Sequence, residues 1–166
     1  MFGGLQKLRK EMKLEHEVPD HHLGKIRSKI AGDSMVRAAS YEEDYYIYLI
    51  GKIPELFVHE HKVIRYGGYK TSTDFFIYPP DSNDGMVIDL FYAMDVINLM
   101  KQVKIKEPKY TPMPYKVFFV SMNNQISQEA IDAKISNKKN ELAENIKVYN
   151  VDYFNSSILP KMISMF

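Results

Sequence analysis

Two aspartates lie inside apolar segments, where a charged side chain is unexpected. Asp74 directly precedes Phe-Phe-Ile, and Asp89 stands between Val-Ile and Leu-Phe. A buried carboxylate is costly unless it is paired, hydrogen-bonded or bound to a metal ion. Residues 79–85 are dense in turn formers, so the two segments are predicted to form a hairpin. A symmetric register of that hairpin sets Asp74 opposite Asp89 or Leu90.

This pairing would have a specific chemical consequence. Two carboxylates held opposite one another repel unless a cation lies between them, and hard oxygen ligands favour Mg²⁺ or Mn²⁺. Asp74 and Asp89 therefore predict a metal site made of carboxylate oxygens. The alternatives are structural: Asp74 could cap a turn at the end of its strand, and Asp89 could lie on a wetter face of the sheet.

A third acid, Glu43, has two interpretations. The segment 40–43 has the form of a capping box with Ser40 as the N-cap, and the helix that follows is predicted to run to about Lys52, before Pro54. Glu43 either closes this box or, because the helix leads directly into the sheet, supplies a third metal ligand.

The composition excludes several classes of protein. The chain has 166 residues, 45% of them apolar, with only 8 Gly and 8 Pro, which suits one globular domain. Since it has no cysteine, a disulfide scaffold, a thiolate zinc site and cysteine catalysis are excluded. No apolar run is long enough to span a bilayer, and the N-terminus lacks a signal-peptide core. We therefore expect a cytoplasmic protein without a membrane partner, and its Lys-, Asn-, Ile- and Tyr-rich composition suggests a bacterial or phage source.

The net charge of +1 hides a segregated distribution of charge. Residues 1–30 hold seven basic and four acidic side chains, residues 31–100 five and eleven, and residues 101–166 ten and six. An acidic centre between basic ends fits a metal site flanked by nucleic-acid-binding segments; random variation of surface charge is the alternative. Lysines neutralise phosphates without reading sequence, and those expected to contact DNA are Lys101, Lys104, Lys106, Lys109, Lys134 and Lys138.

The remaining segments predict the elements that position these residues. After the first helix we expect three strands (57–66, 73–78 and 86–94), a helix over 96–104, a strand over 115–122, a helix over 128–145 and a strand over 146–151. The prolines of 104–114 predict a non-helical loop. Antiparallel strands followed by crossover units predict an α/β domain with a mixed central sheet flanked by helices. This domain is predicted over 36–166, after a helical arm over 1–35.

This order of elements, with an Asp opening the second strand and an acid in the third, resembles the PD-(D/E)XK nuclease superfamily. That group includes restriction enzymes, Holliday-junction resolvases, mismatch-repair nicking enzymes and some homing endonucleases. The resemblance covers residues 36–151 and implies that Asp74 and Asp89 are the strand acids and Glu43 the helix acid. It also implies one or two bound Mg²⁺, a metal-activated water and hydrolysis of DNA. A homodimer would supply the two sites that cutting both strands requires.

The sequence departs from the family at one position. Two residues after Asp89 the family has a lysine that positions and deprotonates the water, whereas this chain has Phe91. Lys70, on the strand face of Asp74 by the period of two, and Lys101 on the following helix are the candidates for the missing cation. Without such a cation, we expect a slow nuclease or an inactive nucleic-acid-binding or assembly protein on the same fold. A third alternative is an interaction protein with a Tyr- and Met-rich surface.

Overall fold

The computed structural model describes residues 39–80 and 84–166, so the arm predicted for residues 1–35 lies outside the described residues. Residues 42–166 form one compact unit. Its core is a five-stranded mixed sheet flanked by helices, which confirms the predicted α/β fold class. None of the helices in the described part of the chain is long and apolar enough to cross a membrane.

The described elements begin with helix α1, which includes residues 39–50. The strands that follow are β1 (Val58–Glu60), β2 (Val63–Tyr66), β3 (Tyr69–Ser72), β4 (Phe75–Ile77), β5 (Met86–Phe91), β6 (Lys116–Ser121) and β7 (Ile146–Asn150). The helices between and after them are α2 (Val96–Tyr110), α3 (Gln128–Ile135) and the C-terminal α4, which runs over Val151–Tyr153 and Leu159–Ile163 with a π-helical turn at Phe154–Ile158.

The main sheet has the strand order β1-β4-β5-β6-β7. Strands β1, β4 and β5 are antiparallel neighbours, whereas β5, β6 and β7 run parallel. Phe75 pairs with Ile88, and Ile77 pairs with Met86. This register is one of those predicted from the turn. It places Asp74, the residue before Phe75, opposite Asp89, the residue after Ile88.

The core consists of two layers, one on each face of the main sheet. The first layer lies between the sheet and helices α2 and α3 and includes Phe76, Val87 and Leu99. The second layer lies between the sheet and helices α1 and α4. Side chains two residues apart in a strand share a face, so Asp74 points with Phe76, and Asp89 with Val87, toward the first layer.

The strand predicted over 57–66 is in fact two strands. His61 has a φ of 48° and turns the chain out of the main sheet after β1. Strand β2 then pairs with β3 in a separate two-stranded hairpin. Its two-residue turn is formed by Gly67 and Gly68, with φ of 55° and 84°, a left-handed backbone that glycine adopts at little cost. The predicted continuous strand over 57–66 is therefore wrong.

Helix α2 is longer than the sequence predicts, and the non-helical loop predicted from Lys104 is wrong. The helix passes through Pro108 and ends at Tyr110. Proline removes one backbone hydrogen bond and crowds the preceding turn, but here it falls in the last turn, where few bonds remain to be lost. The turn closes around it through the Thr111 N–H, which donates to the Glu107 carbonyl at 3.0 Å.

Helix α3 is shorter than the sequence predicts and ends at Ile135. The side chain of Asn137 accepts a backbone N–H and thereby caps a separate 3₁₀ turn, Lys138–Asn140. Lys138 therefore lies outside α3, and the helix predicted over 128–145 is wrong in its second half.

Candidate active site

Asp74 and Asp89 lie side by side near the carboxyl end of β5. The backbone N–H of Asp74 donates to Oδ1 of Asp89 at 2.9 Å, and the backbone N–H of Leu90 donates to Oδ2 of Asp74 at 2.6 Å. Asp89 is fully buried, whereas Asp74 is partly exposed. The two carboxylates lie on the same face of the sheet, and solvent reaches the pair from the side of Asp74.

Helix α2 brings a cation to this pair. Lys106 continues the buried stripe of the helix, three residues after Val103 and four before Tyr110. Its Nζ lies 2.7 Å from Oδ2 of Asp89, and the hydroxyl of Tyr110 donates to the same oxygen at 2.9 Å. With the backbone N–H of Asp74, Asp89 accepts three hydrogen bonds, which compensate the burial of its charge.

The charge of Asp74 is less well compensated than that of Asp89. Burial, and after it the negative charge of Asp89, raise the pKa of Asp74 from 3.8 to about 6. The Lys106 ammonium and the backbone N–H of Leu90 act in the opposite direction but do not cancel this rise. Near neutral pH the folded protein therefore holds an ionised carboxylate at a position that disfavours it.

The two partners from α2 keep their protons. Burial alone would lower the pKa of Lys106, but the negative charges of Asp89 and Asp74 raise it above its usual value. Burial, followed by the charge of Asp89, raises the pKa of Tyr110 far above its usual value. At neutral pH Lys106 is thus an ammonium and Tyr110 a neutral hydroxyl, and both act as hydrogen-bond donors.

Phe91, at the position where the PD-(D/E)XK family has its lysine, lies beneath the ammonium of Lys106. The distance from Lys106 Nζ to the centroid of the Phe91 ring is 5.3 Å, within the range of a cation–π contact. The ring is held by an edge contact with Phe119. A cavity of about 320 Å³ opens beside it and is lined mainly by apolar side chains such as Ile105. The ammonium beside Asp89 and Phe91 thus comes from α2.

The acid that α1 brings toward the pair is Glu42. It is half-buried, and its charge contributes to the raised pKa of Asp74; its Oε2 lies 4.0 Å from Nε2 of His61. Glu43, the predicted helix acid, is exposed. Because α1 already includes residue 39, Ser40 lies inside the helix and the predicted capping box is wrong.

Lys70, predicted to replace the missing cation, is not brought to the aspartates. It is exposed on β3, directly opposite Arg65. The next residue, Thr71, points inward instead: it is buried, and its hydroxyl approaches that of Tyr110. The cation beside Asp89 is Lys106, which the sequence suggested only as a phosphate contact.

The other lysines predicted to bind DNA lie elsewhere on the surface. Lys101, Lys104 and Lys134 line a cavity of about 260 Å³ between α2 and α3, and Lys104 is already paired with Glu107 at 2.9 Å. Lys109 and Lys138 are exposed. Lys101, Lys104 and Lys134 are therefore the predicted DNA-binding lysines that the structure brings together.

The carboxylate oxygens of Asp74 and Asp89 are ligands of the kind that a hard divalent cation prefers. In the described residues, no group of three or more Asp, Glu or His is arranged to hold a metal ion. Mg²⁺ commonly takes only one or two carboxylates and completes its octahedron with waters and substrate phosphates. Oδ1 of Asp74 accepts no hydrogen bond from any residue that the structure describes, and Oδ1 of Asp89 accepts one. Both atoms therefore retain lone pairs for a cation.

Glu42 and Lys106 are the two site residues that sequence reasoning missed, although a signal for each was present. Glu42 stands three residues before Tyr45 and seven before Leu49, on the helix face that is buried. Lys106 belongs to the apolar stripe of α2 once that helix is allowed to continue through Pro108. For Lys106, the error in the predicted end of α2 concealed the direction of the side chain.

The chain matches no known protein-family model, and no curated protein is significantly similar to it. Its function must therefore be argued from the geometry and chemistry of this site.

Proposed function

We propose that this protein is a Mg²⁺-dependent endonuclease that hydrolyses phosphodiester bonds in DNA. The observation that carries the proposal is the convergence of two adjacent carboxylates and an ammonium. Asp74 directly precedes β4, Asp89 lies in β5 and Lys106 lies in α2. The strand order and the crossover through α2 are also those expected of a PD-(D/E)XK core. The proposed setting is the cytoplasm of a bacterium or a phage-infected cell.

In this proposal Asp74 and Asp89 would hold the cation. When bound, Mg²⁺ would supply a water of lowered pKa and neutralise charge on the attacked phosphate. Asp74 has to be ionised to bind a cation, and its raised pKa of about 6 means that protons compete for it in mildly acidic solution. Activity at limiting Mg²⁺ should therefore rise between about pH 5 and pH 7 as Asp74 loses its proton.

Lys106 has a different role from a general base. Since its pKa is raised, its ammonium stays protonated at neutral pH and cannot accept a proton from water. It donates to Asp89 at 2.7 Å, and its remaining N–H groups can orient the attacking water or stabilise charge on the phosphate. Phe91 positions this ammonium from below.

A second function is favoured by the number of hydrogen bonds at Asp89. Because Asp89 is compensated by donors within the protein, the cluster could be a structural polar network in an inactive DNA-binding protein on the same fold. The difference lies in Asp74, whose charge this network does not compensate.

The test is cleavage of supercoiled, branched and linear DNA in the presence of Mg²⁺, Mn²⁺ or EDTA. We expect nicking that requires the metal and that is lost in Asp74→Ala and Asp89→Ala. Lys106→Met keeps the length of the side chain and removes its charge, so it should reduce the rate by at least about a hundredfold. Lys161→Met, at an exposed position of α4, is the matched control and should cut normally.

Two results decide between the functions. DNA binding without cleavage under any metal condition would reject the endonuclease and leave the binding protein. Cleavage that survives Asp74→Ala would place the chemistry elsewhere in the chain. Sedimentation at working concentration tests the proposed homodimer, because cutting both strands of a duplex in one encounter requires two sites.

A further inference from the structure

The hairpin of β2 and β3 is strongly basic although it lies in the acidic central part of the chain. Residues 62–72 carry Lys62, Arg65 and Lys70 and no acidic side chain. The register sets Arg65 directly opposite Lys70, and like charges in that relation destabilise a strand pair. Neither of them forms an ion pair with any residue that the structure describes. Two uncompensated cations held side by side favour an anionic ligand from outside.

The opposite face of the same hairpin carries a pair of exposed tyrosines. Tyr66 is paired with Tyr69, and their side chains are 45% and 48% exposed. They share a face with Ile64, which is buried in the core at the base of the hairpin. The hairpin is therefore anchored at its base, while its last two residue pairs project into solvent around a turn made only of glycines.

The base of the hairpin is attached to the backbone of the candidate active site. The N–H of His61 donates to the carbonyl of Asp74 at 2.9 Å, and the N–H of Thr73 donates to the carbonyl of Lys62 at 3.1 Å. From Asp74 to Tyr69 there are five residues of mostly extended chain, or roughly 16 Å at about 3.3 Å per residue. A ligand that contacts both the tip of the hairpin and Asp74 must therefore extend over roughly 16 Å, and the basic pair of Arg65 and Lys70 favours one that is anionic.

We propose that this hairpin is a ribbon that enters the major groove of duplex DNA about five base pairs from the phosphodiester held at Asp74. The groove is about 12 Å wide and admits a two-stranded ribbon; at about 3.4 Å per base pair, the 16 Å span gives the stated separation. Arg65 and Lys70 contact phosphates of one DNA strand, and Tyr66 and Tyr69 face the opposite side of the groove. The inference rests on the proposed function for its partner.

Binding of a labelled duplex, measured by fluorescence anisotropy in EDTA, tests the ribbon without requiring cleavage. Arg65→Ala/Lys70→Ala should weaken binding about tenfold or more at low salt and reduce the slope of log K against log salt by about 1.8, since each phosphate contact contributes about 0.9. Tyr66→Ala/Tyr69→Ala should weaken binding with the slope unchanged. Arg65→Lys/Lys70→Arg keeps both charges and should bind as the wild type does.

A matched control removes the same charge elsewhere. Lys147→Ala/Lys161→Ala takes two exposed cations from β7 and α4 and should leave affinity within about twofold. An equal loss in this control and in the hairpin variant would overturn the proposal. Equal affinity for duplex RNA of the same sequence would overturn it too, because the deep, narrow major groove of RNA excludes side chains.

Cleavage assays separate this inference from the proposed function. Hairpin variants that bind and cut DNA as well as the wild type would reject the ribbon and leave the endonuclease in place. A wild-type protein that binds through the hairpin but never cuts would support the ribbon and reject the endonuclease.

Discussion

Replacement of Asp74 by Asn should stabilise the protein above about pH 6. The pKa of Asp74 is raised from 3.8 to about 6 by burial and by Asp89, so between these pH values the folded protein holds a proton that the unfolded chain has released. The stability that this proton provides is fully present below about pH 3.8 and is lost as the pH rises through about 6. A difference of about two pKa units corresponds to about 3 kcal/mol.

Asparagine removes the charge and keeps the oxygen that accepts the backbone N–H of Leu90. At pH 8, Asp74→Asn should therefore be more stable than the wild type by roughly 1–3 kcal/mol, where the lower figure allows for solvent at the partly exposed carboxylate. In a domain of this size each kcal/mol raises Tm by about 2–4 °C. Near pH 4 the wild type is protonated at Asp74, and the two proteins should unfold at nearly the same temperature.

Thermal unfolding followed by circular dichroism from pH 4 to pH 8 measures this gain. Asp44→Asn, which removes one exposed negative charge from α1, is the matched control and should show no comparable gain. Mg²⁺ should raise Tm of the wild type but not of Asp74→Asn, because a tenfold excess over Kd adds about 1.4 kcal/mol to the protein that binds it. If Asp74→Asn is less stable than the wild type at pH 8, the charge of Asp74 stabilises the fold and the reasoning is wrong.

Three further substitutions test the surroundings of the pair. Asp89→Asn should destabilise by roughly 2–4 kcal/mol in urea unfolding, because Lys106 loses its partner in a largely buried site; a gain in stability would contradict this. Phe91→Leu should lower the pKa of Lys106 in an NMR titration, since the ammonium loses its aromatic contact, whereas Phe154→Leu in the other core layer should leave that titration unchanged. Tyr110→Phe should cost about 1 kcal/mol, the value of one hydrogen bond, and a loss several times larger would give Tyr110 a further role.

The central strand pairing could be predicted because its determinants are local. Two apolar segments flank a turn-forming link, and the period of two then fixes which residues face each other. The division between β1 and β2 could not be predicted in this way, because no proline or glycine interrupts residues 57–66. What separates them is the left-handed backbone of His61, a conformation for which histidine carries little sequence signal.

The position of the Lys106 ammonium could not be predicted from the sequence, because Pro108 predicts that the helix ends before it reaches Lys106. Proline in the interior of a helix costs about 3 kcal/mol, and this led to the prediction that α2 stops near Lys104. Pro108 instead lies in the last turn, where Tyr110 is held by its bond to Asp89 and Lys104 pairs with Glu107. The contact of Tyr110 with Asp89 favours a helix that continues past Pro108, and the phase of that helix then places Lys106 on the face toward the sheet.

The opposite effects predicted for Asp74→Asn and Asp89→Asn follow from how each charge is compensated. Asp89 has Lys106, Tyr110 and a backbone N–H within hydrogen-bond distance, so its charge is balanced inside the protein. Asp74 accepts a single backbone N–H from the described residues, and its charge raises the energy of the fold at neutral pH. A network built only for stability would gain from a neutral side chain at this position. A partly exposed aspartate that costs stability is therefore what the proposed cation site requires, because the cation would bind from the solvent side.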